Sequence, residues 1–301
     1  MNINYKQIEA FVWVADLGNF RQAAERLNTT QPNISTRVAN LEQAIGAPLF
    51  ERSAGAISMT RRGKELLESA RDVVKSAERF EAQAGLLHLS NRTIRLGVTE
   101  MIVSTWLPIF LKQVKQQFPN LNLELTVDLS VNLKPDLFSR ALDITFQNGP
   151  FSRTTTGTND LGSFPFQWVA SRDLAVSQAT ELSFDDMQAQ TILVHSRDTL
   201  QFQEIEQHFT QKNSHRPTIV PSSSIAPCIH MCVQGMGVSA IPLVMAKRYF
   251  EQGDLVPLNY PWAPAPLEFL ARYDANTSPK VVGDLAELAQ HTVSNYIAET
   301  C

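Results

Sequence analysis

The residues best suited to chemistry stand together near the N-terminus, where residues 31–40 read QPNISTRVAN. A Gln or Asn amide can hold adenine through two hydrogen bonds at once, Arg can do the same for guanine, and Thr can touch the thymine methyl. Gln31, Asn33, Ser35, Thr36, Arg37 and Asn40 share the polar side of a helix, because Ile34, Val38, Leu41 and Ile45 recur at the three-to-four-residue spacing of a buried side. Pro32 falls in the first turn, where its missing N–H costs nothing. Thr30 is placed to cap that turn, and Gly46 ends the helix. The chemistry on offer is readout of base edges. A small helical bundle whose polar side merely meets water explains the same spacing.

The elements that must position these side chains come next. Residues 5–17, YKQIEAFVWVADL, have helical apolar spacing, and Gly18-Asn19 breaks the run. FRQAAERL (20–27) is a second, short helix, followed by a tight turn at Asn28-Thr29. Two short helices joined by such a turn make a helix-turn-helix. PLFERSAGAISMT (48–60) has strand-like pieces around small residues, the pattern of a hairpin wing. Arg52, Arg61 and Arg62 flank it and suit phosphates, which give affinity and register rather than sequence choice.

Residues 61–87 read as one long helix. Leu66, Ala70, Val73, Ala77, Phe80 and Ala84 are spaced 4, 3, 4, 3, 4, an a/d seam that needs a partner. A second copy of the chain suits it best, since paired heads then read two half-sites. A partner within the chain is the alternative.

Charge follows the same division. The whole chain of 301 residues carries −4, which taken alone argues against nucleic acid. Residues 20–62, however, hold six Arg against three Glu, while residues 91–301 carry 15 basic and 20 acidic side chains. The length suggests about two domains. Hydrophobic residues at 44% and charged residues at 19% are globular composition. No apolar run reaches the roughly 18 residues of a membrane span, and the start lacks the layout of a signal peptide, so the expectation is a cytoplasmic protein. Three cysteines, an odd number placed late, fit a reducing compartment.

The run FRQAAERLNTTQPNISTRVANLEQAIGAPLFERSAGAISMTRRG resembles the DNA-binding head of LysR-type transcriptional regulators. The family pattern is A-A-x-x-L, a turn, S/T-Q-P-x-x-S, then L-E-x-x-x-G-x-x-L-F-x-R and T-x-x-G. Ala23, Ala24, Leu27, Thr30, Gln31, Pro32, Ser35, Leu41, Glu42, Gly46, Leu49, Phe50, Arg52, Thr60 and Gly63 occupy it at the expected spacing. Downstream, TIRLGVTEMIVSTWLPIFLKQVKQQFPNLNLELT, ALDITF and VQGMGVSAIP resemble the family's effector domain. The resemblance implies an α/β chain with a winged helix-turn-helix over 1–60, a dimerising linker helix over 61–90 and an effector domain over 91–301. That domain would be two-lobed like the type 2 periplasmic binding proteins, with lobe I about 91–163 and 267–301 and lobe II about 164–266. The implied partners are promoter DNA, a small polar or anionic effector, further copies forming dimers and tetramers, and RNA polymerase. On this resemblance Gln31, Pro32, Asn33, Ser35 and Thr36 approach bases, with Arg37 and Arg52 on phosphates or base edges. Many members have Arg where this chain has Thr36, a small residue at Asn33, and some have Arg at Gly55, so base preference does not carry over.

From residue 91 onward strands and helices alternate, which implies α/β lobes. The pattern predicts strands at 93–98, 121–128, 142–146, 164–170, 191–195, 217–221 and 237–241, and helices at 104–118, 132–141, 199–212, 224–235 and 243–251. Ligands bind such sheets at the C-terminal ends of strands. Thr99, Ser130, His195, Ser196, Ser222, Ser223 and Ser224 fall at such ends, with Phe202 on the next helix. Each Ser or Thr is equally suited to a cap or turn. Glu100 is favoured simply by the dipole of its own helix; the sharper alternative is a carboxylate that selects a cationic effector.

Cys228 and Cys232 are four apart on one helix, as a small buried apolar patch or, alternatively, a redox pair would be. No second cluster completes a zinc site. Gly235-x-Gly237-x-x-Ala240 follows a helix rather than a strand, which is the wrong context for a dinucleotide fingerprint. No nucleophile, metal or acid–base motif is visible, so neither cofactor nor enzyme activity is expected. An enzyme or solute-binding protein with an unrelated helical head is the competing class.

Overall fold

A computed structural model describes residues 3–53, 56–84, 92–210, 216–276 and 278–300. Three helices open the chain: α1 (Tyr5–Leu17), α2 (Phe20–Arg26) and α3 (Gln31–Ile45). The side chain of Asn4 caps α1 and forms a reciprocal pair with Gln7, and Asn19 caps α2. A two-stranded wing follows, β1 (Phe50–Ser53) against β2 (Ala56–Met59), and then the long α4 (Arg61–Gln83). The core of this head is built on Phe11, Ile34, Val38 and Leu49. The Phe50 ring packs edge-on to Phe11 at 5.6 Å and to Phe20 at 5.9 Å.

Two five-stranded sheets make up the remainder. In chain order the elements are β3 (Arg92–Val98), α5 (Glu100–Val103), α6 (Leu107–Gln117), β4 (Leu121–Val127), α7 (Ser130–Phe138), β5 (Ile144–Asn148) and β6 (Gly157–Phe164). Then come β7 (Phe166–Ser171), a 3₁₀ turn, α8 (Phe184–Gln188), β8 (Ile192–His195), α9 (Leu200–Thr210), β9 (Ile219–Ser222) and α10 (Ile225–Val233). The last are β10 (Val238–Pro242), α11 (Leu243–Gln252), β11 (Leu255–Pro257), β12 (Leu267–Tyr273) and α12 (Lys280–Thr300). One sheet runs β4-β3-β5-β12-β6, the other β11-β7-β10-β8-β9. The chain therefore passes from the first sheet to the second at Pro165 and returns between β11 and β12. In the first sheet β3, β4 and β5 are parallel, β12 joins β5 antiparallel and β6 pairs antiparallel with β12. In the second β8, β9 and β10 are parallel, β7 joins β10 antiparallel and β11 pairs antiparallel with β7.

Three local differences from the sequence pattern have physical causes. The helix expected over 104–118 begins only at Leu107, because the short α5 precedes it and the chain turns at Ser104–Trp106 before restarting at Leu107-Pro108, where Pro suits a first turn. The indole of Trp106 is fully buried among Phe110 and Phe146. Strand β6, GTNDLGSF, has too few apolar residues to read as a strand, yet it pairs along β12 and buries Leu161 and Phe164. The short α8 is set by Ser183 and Asp186, which cap each other's backbone N–H groups. Among the described residues no helix is long and apolar enough to cross a membrane.

Candidate DNA interface and ligand cleft

Burial of Ile34, Val38 and Leu41 fixes which side of α3 faces outward. Gln31, Pro32, Asn33 and Thr36 are exposed there, with Ser35 and Arg37 half-buried. Asn33 Nδ2 donates to Thr29 Oγ1 at 2.8 Å, and Thr36 Oγ1 donates to the Pro32 carbonyl at 2.9 Å. The side chains of Gln31, Ser35 and Arg37 have no hydrogen-bond or ion-pair partner among the described residues. Thr30 caps α3 by backbone conformation alone, without the expected side-chain bond.

The wing is tied to both neighbouring helices. Glu42 Oε1 on α3 accepts from the N–H of Leu49 at 2.7 Å and of Phe50 at 3.2 Å. Thr60 Oγ1 donates to the Pro48 carbonyl at 2.8 Å and accepts from the N–H of Gly63 at 2.9 Å. A Cβ at position 63 would stand 2.3 Å from the Leu49 carbonyl oxygen, so only glycine lets α4 pass this close. These contacts are the physical content of the Leu41-Glu42, Leu49-Phe50 and Thr60-x-x-Gly63 spacing. Arg52 lies on β1 opposite Ile57, and its side chain lies outside the described set.

The linker helix divides its apolar residues between two tasks. Leu67 and Val74 are buried in the head core, and Leu66 and Ala70 pack partly against it. Val73 is 44% exposed and Phe80 69% exposed, with Ala77 half-buried between them. The seam expected over Leu66, Ala70, Val73, Ala77 and Phe80 thus lies along the head at its start and faces outward at its end. Leu67 and Val74, seven apart, were a second stripe that the spacing contained.

A set of buried ion pairs, invisible to local patterns, joins the head to the first sheet. Arg26 on α2 makes a two-pronged pair with Asp143, one prong at 2.7 Å, and both side chains are more than nine-tenths buried. Its guanidinium also lies 4.5 Å above the Trp13 ring. Asp143 in addition accepts from the N–H of Arg95 at 2.8 Å. Asp16, at the end of α1, pairs with Arg71 of α4 and with Arg140, which stands beside Asp274 at 3.7 Å.

Between the two sheets lies a cavity of about 540 Å³. Six of the expected ligand residues line it: Thr99, Glu100, Ser130, His195, Ser223 and Ser224. Three do not. Phe202 is the first residue of the Phe202, Ile205, Phe209 face that α9 buries in the second lobe, and the Arg197 guanidinium covers its ring at 5.1 Å. Ser196 is buried and donates its N–H to the Ser222 carbonyl at 2.7 Å, and Ser222 continues the β8–β9 ladder opposite His195. Asn148 was missed because it sits at the end of β5, beyond the predicted strand. Ser130 Oγ donates to its Oδ1 at 2.7 Å and accepts its N–H at 3.0 Å.

Two polar atoms of the cavity wall are buried without a partner: Thr99 Oγ1 and His195 Nε2. Thr99 starts α5 without a side-chain capping bond, so the capping role is not the one its hydroxyl plays. Burial outweighs the nearby Glu100 charge and lowers the His195 pKa, which keeps the ring neutral at neutral pH. Glu100 does not serve its own helix. Its carboxylate reaches the start of α10 and accepts from Ser224 Oγ at 2.7 Å, the Ile225 N–H at 2.9 Å and the Ala226 N–H at 3.1 Å.

Cys228 and Cys232 are wholly buried on α10, and Cys301 lies outside the described residues. Burial pushes the two thiols up to about 11 and about 12. Since the thiolate is the reactive form, both are expected to resist oxidation in the folded chain. Peptide mapping after mild peroxide is expected to find neither residue modified until the protein is unfolded; rapid sulfenylation of either in the native chain would contradict this. No group of three or more metal-ligating side chains is present among the described residues.

Comparison with known proteins matches this geometry. Residues 5–64 fit the bacterial regulatory helix-turn-helix protein, lysR family, and residues 88–293 fit the LysR substrate binding domain. The transcriptional activator protein LysR of Escherichia coli is 26% identical over 255 residues, 84% of this chain and 82% of that one. Full-length OxyR of Pseudomonas aeruginosa superposes with a TM-score of 0.66 at 23% identity, over 96% of this chain and 95% of that one. LysG of Corynebacterium glutamicum, solved with bound effector Arg, gives 0.64 at 17% identity over 97% and 98%. With both domain models matched in order along one chain, this protein belongs to the LysR family of DNA-binding transcriptional regulators.

Proposed function

We propose that this regulator reads promoter DNA through α3 as a dimer or tetramer, in the cytoplasm, and that a small molecule in the inter-lobe cavity changes how the paired heads sit on DNA. Gln31, Pro32, Asn33, Ser35 and Thr36 approach bases, while Arg37 and Arg52 bind phosphate or base edges. The single observation carrying the ligand reading is the pair of buried, unpartnered atoms, Thr99 Oγ1 and His195 Nε2, on the wall of a cavity of small-molecule size. The structure of LysG with bound effector Arg agrees with a small molecule in this fold. A ligand acts only through unequal affinity for two arrangements, and a cavity lined from both lobes provides that inequality as the lobes move. Nothing about the wall requires turnover.

The test is a promoter reporter screened across supplemented metabolites, repeated with Thr99→Val combined with Ser130→Ala. The double variant is expected to keep its DNA affinity and lose the response that the wild type shows. A full response in the double variant would refute the cleft assignment.

A further inference from the structure

Resting on the cleft reading above, we propose that Glu100 fills the cleft's anion seat in this lobe arrangement, so that the ligand is a small organic amine rather than a carboxylate. The start of a helix, with its unpaired N–H groups and positive dipole end, is where an anionic ligand would settle. Here the start of α10 faces the cavity, and the chain supplies the anion itself. Glu100, on the opposite lobe, takes Ser224 Oγ and the Ile225 and Ala226 N–H groups at 2.7–3.1 Å.

The remaining charges point the same way. Asp128 and Asp198 also line the cavity, against one ammonium among the described residues, that of Lys134, which donates to the Pro150 carbonyl. A second carboxylate would meet three like charges and find the strongest donors already engaged. The unpartnered atoms can both receive a donor. Burial keeps the His195 ring neutral, so Nε2 accepts in the tautomer that carries its proton on Nδ1, and Thr99 Oγ1 can accept as well. Val127, Val131, Phe166, Leu267 and Phe269 give the space between them an apolar wall suited to a short carbon chain.

Thermal-shift and calorimetric titrations of the full chain with putrescine and with succinate, two four-carbon probes of opposite charge, test this. Putrescine is expected to stabilise the wild type saturably and succinate to leave it unchanged. Glu100→Ser vacates the seat and is expected to improve succinate affinity by at least about tenfold, equivalent to 1.4 kcal/mol. Succinate binding to the wild type that Thr99→Val abolishes would overturn the amine assignment while leaving the cleft reading intact. Binding of either probe unaffected by both Thr99→Val and Glu100→Ser, or no binding by any of these chains, would overturn the cleft reading itself.

Discussion

Replacing Asp16 with alanine is expected to lower the unfolding free energy of the full chain by about 3–5 kcal/mol, the usual cost of breaking a buried pair from one side. The Asp16 side chain is 1% exposed, and it faces the guanidinium groups of Arg71 and Arg140. Removing the carboxylate leaves two cations facing each other, with Arg140 only 18% exposed and with Asp274 as its remaining acidic neighbour. Burying a charge without a counter-charge is the expensive step, so the loss exceeds that of any exposed pair such as Arg61–Glu65. Urea melts of wild type and Asp16→Ala, with Glu65→Ala as the exposed control, measure it. A loss below about 0.5 kcal/mol, the range of ordinary surface substitutions, would mean that the head is not docked on the first lobe as described. Asp143, in the same interface, is bonded to Arg95 of β3, the strand that leads into Thr99 and the cavity. The head contact and the cavity wall thus lie at the middle and just past the end of one strand.

The second large effect concerns assembly. Val73→Asp combined with Phe80→Asp is expected to convert the protein to a monomer and to weaken binding to a two-half-site duplex by about 100-fold or more. Both side chains are already exposed, so the folded protomer loses little by the change. What it loses is the apolar stripe on the outward side of α4, where a second helix would lie. Linking two heads makes the second contact intramolecular, and avidity of this kind commonly reaches 10²–10⁴. Sedimentation and anisotropy measured on the same samples would show it. A variant that stays dimeric with unchanged affinity would move the dimer contact elsewhere.

The parts of the molecule that were legible in the sequence are those governed by neighbours along the chain. The buried Ile34, Val38 and Leu41 stripe and the Gly46 stop define α3 locally. Thr60 and Gly63 announce themselves through a fixed spacing, because each meets Pro48 or Leu49 across one wing. The positions of Thr99, Ser130 and Ser224 followed from strand-to-helix order. The parts that were not legible depend on contacts far apart in sequence. Arg26 and Asp143 are 117 residues apart and carry no local signature. Glu100 looked like a residue serving its own helix dipole, and its partner helix begins 125 residues later. Phe202 looked like a ligand contact because it follows a strand end, but its helical spacing with Ile205 and Phe209 places it in the core. The net charge of −4 misled for a similar reason: it sums an acidic sensor with a basic head.

The most direct measurement of the central claim, that α3 reads bases, is a salt-resolved anisotropy titration of the full chain. It uses a duplex enriched from a random library and a scrambled duplex of equal length. Wild type is expected to bind both with steep salt dependence and to favour the enriched duplex. Gln31→Ala and Ser35→Ala are expected to cost about 1–3 kcal/mol each on the enriched duplex and little on the scrambled one, with unchanged salt slopes. Equal losses on the two duplexes would contradict base readout by α3.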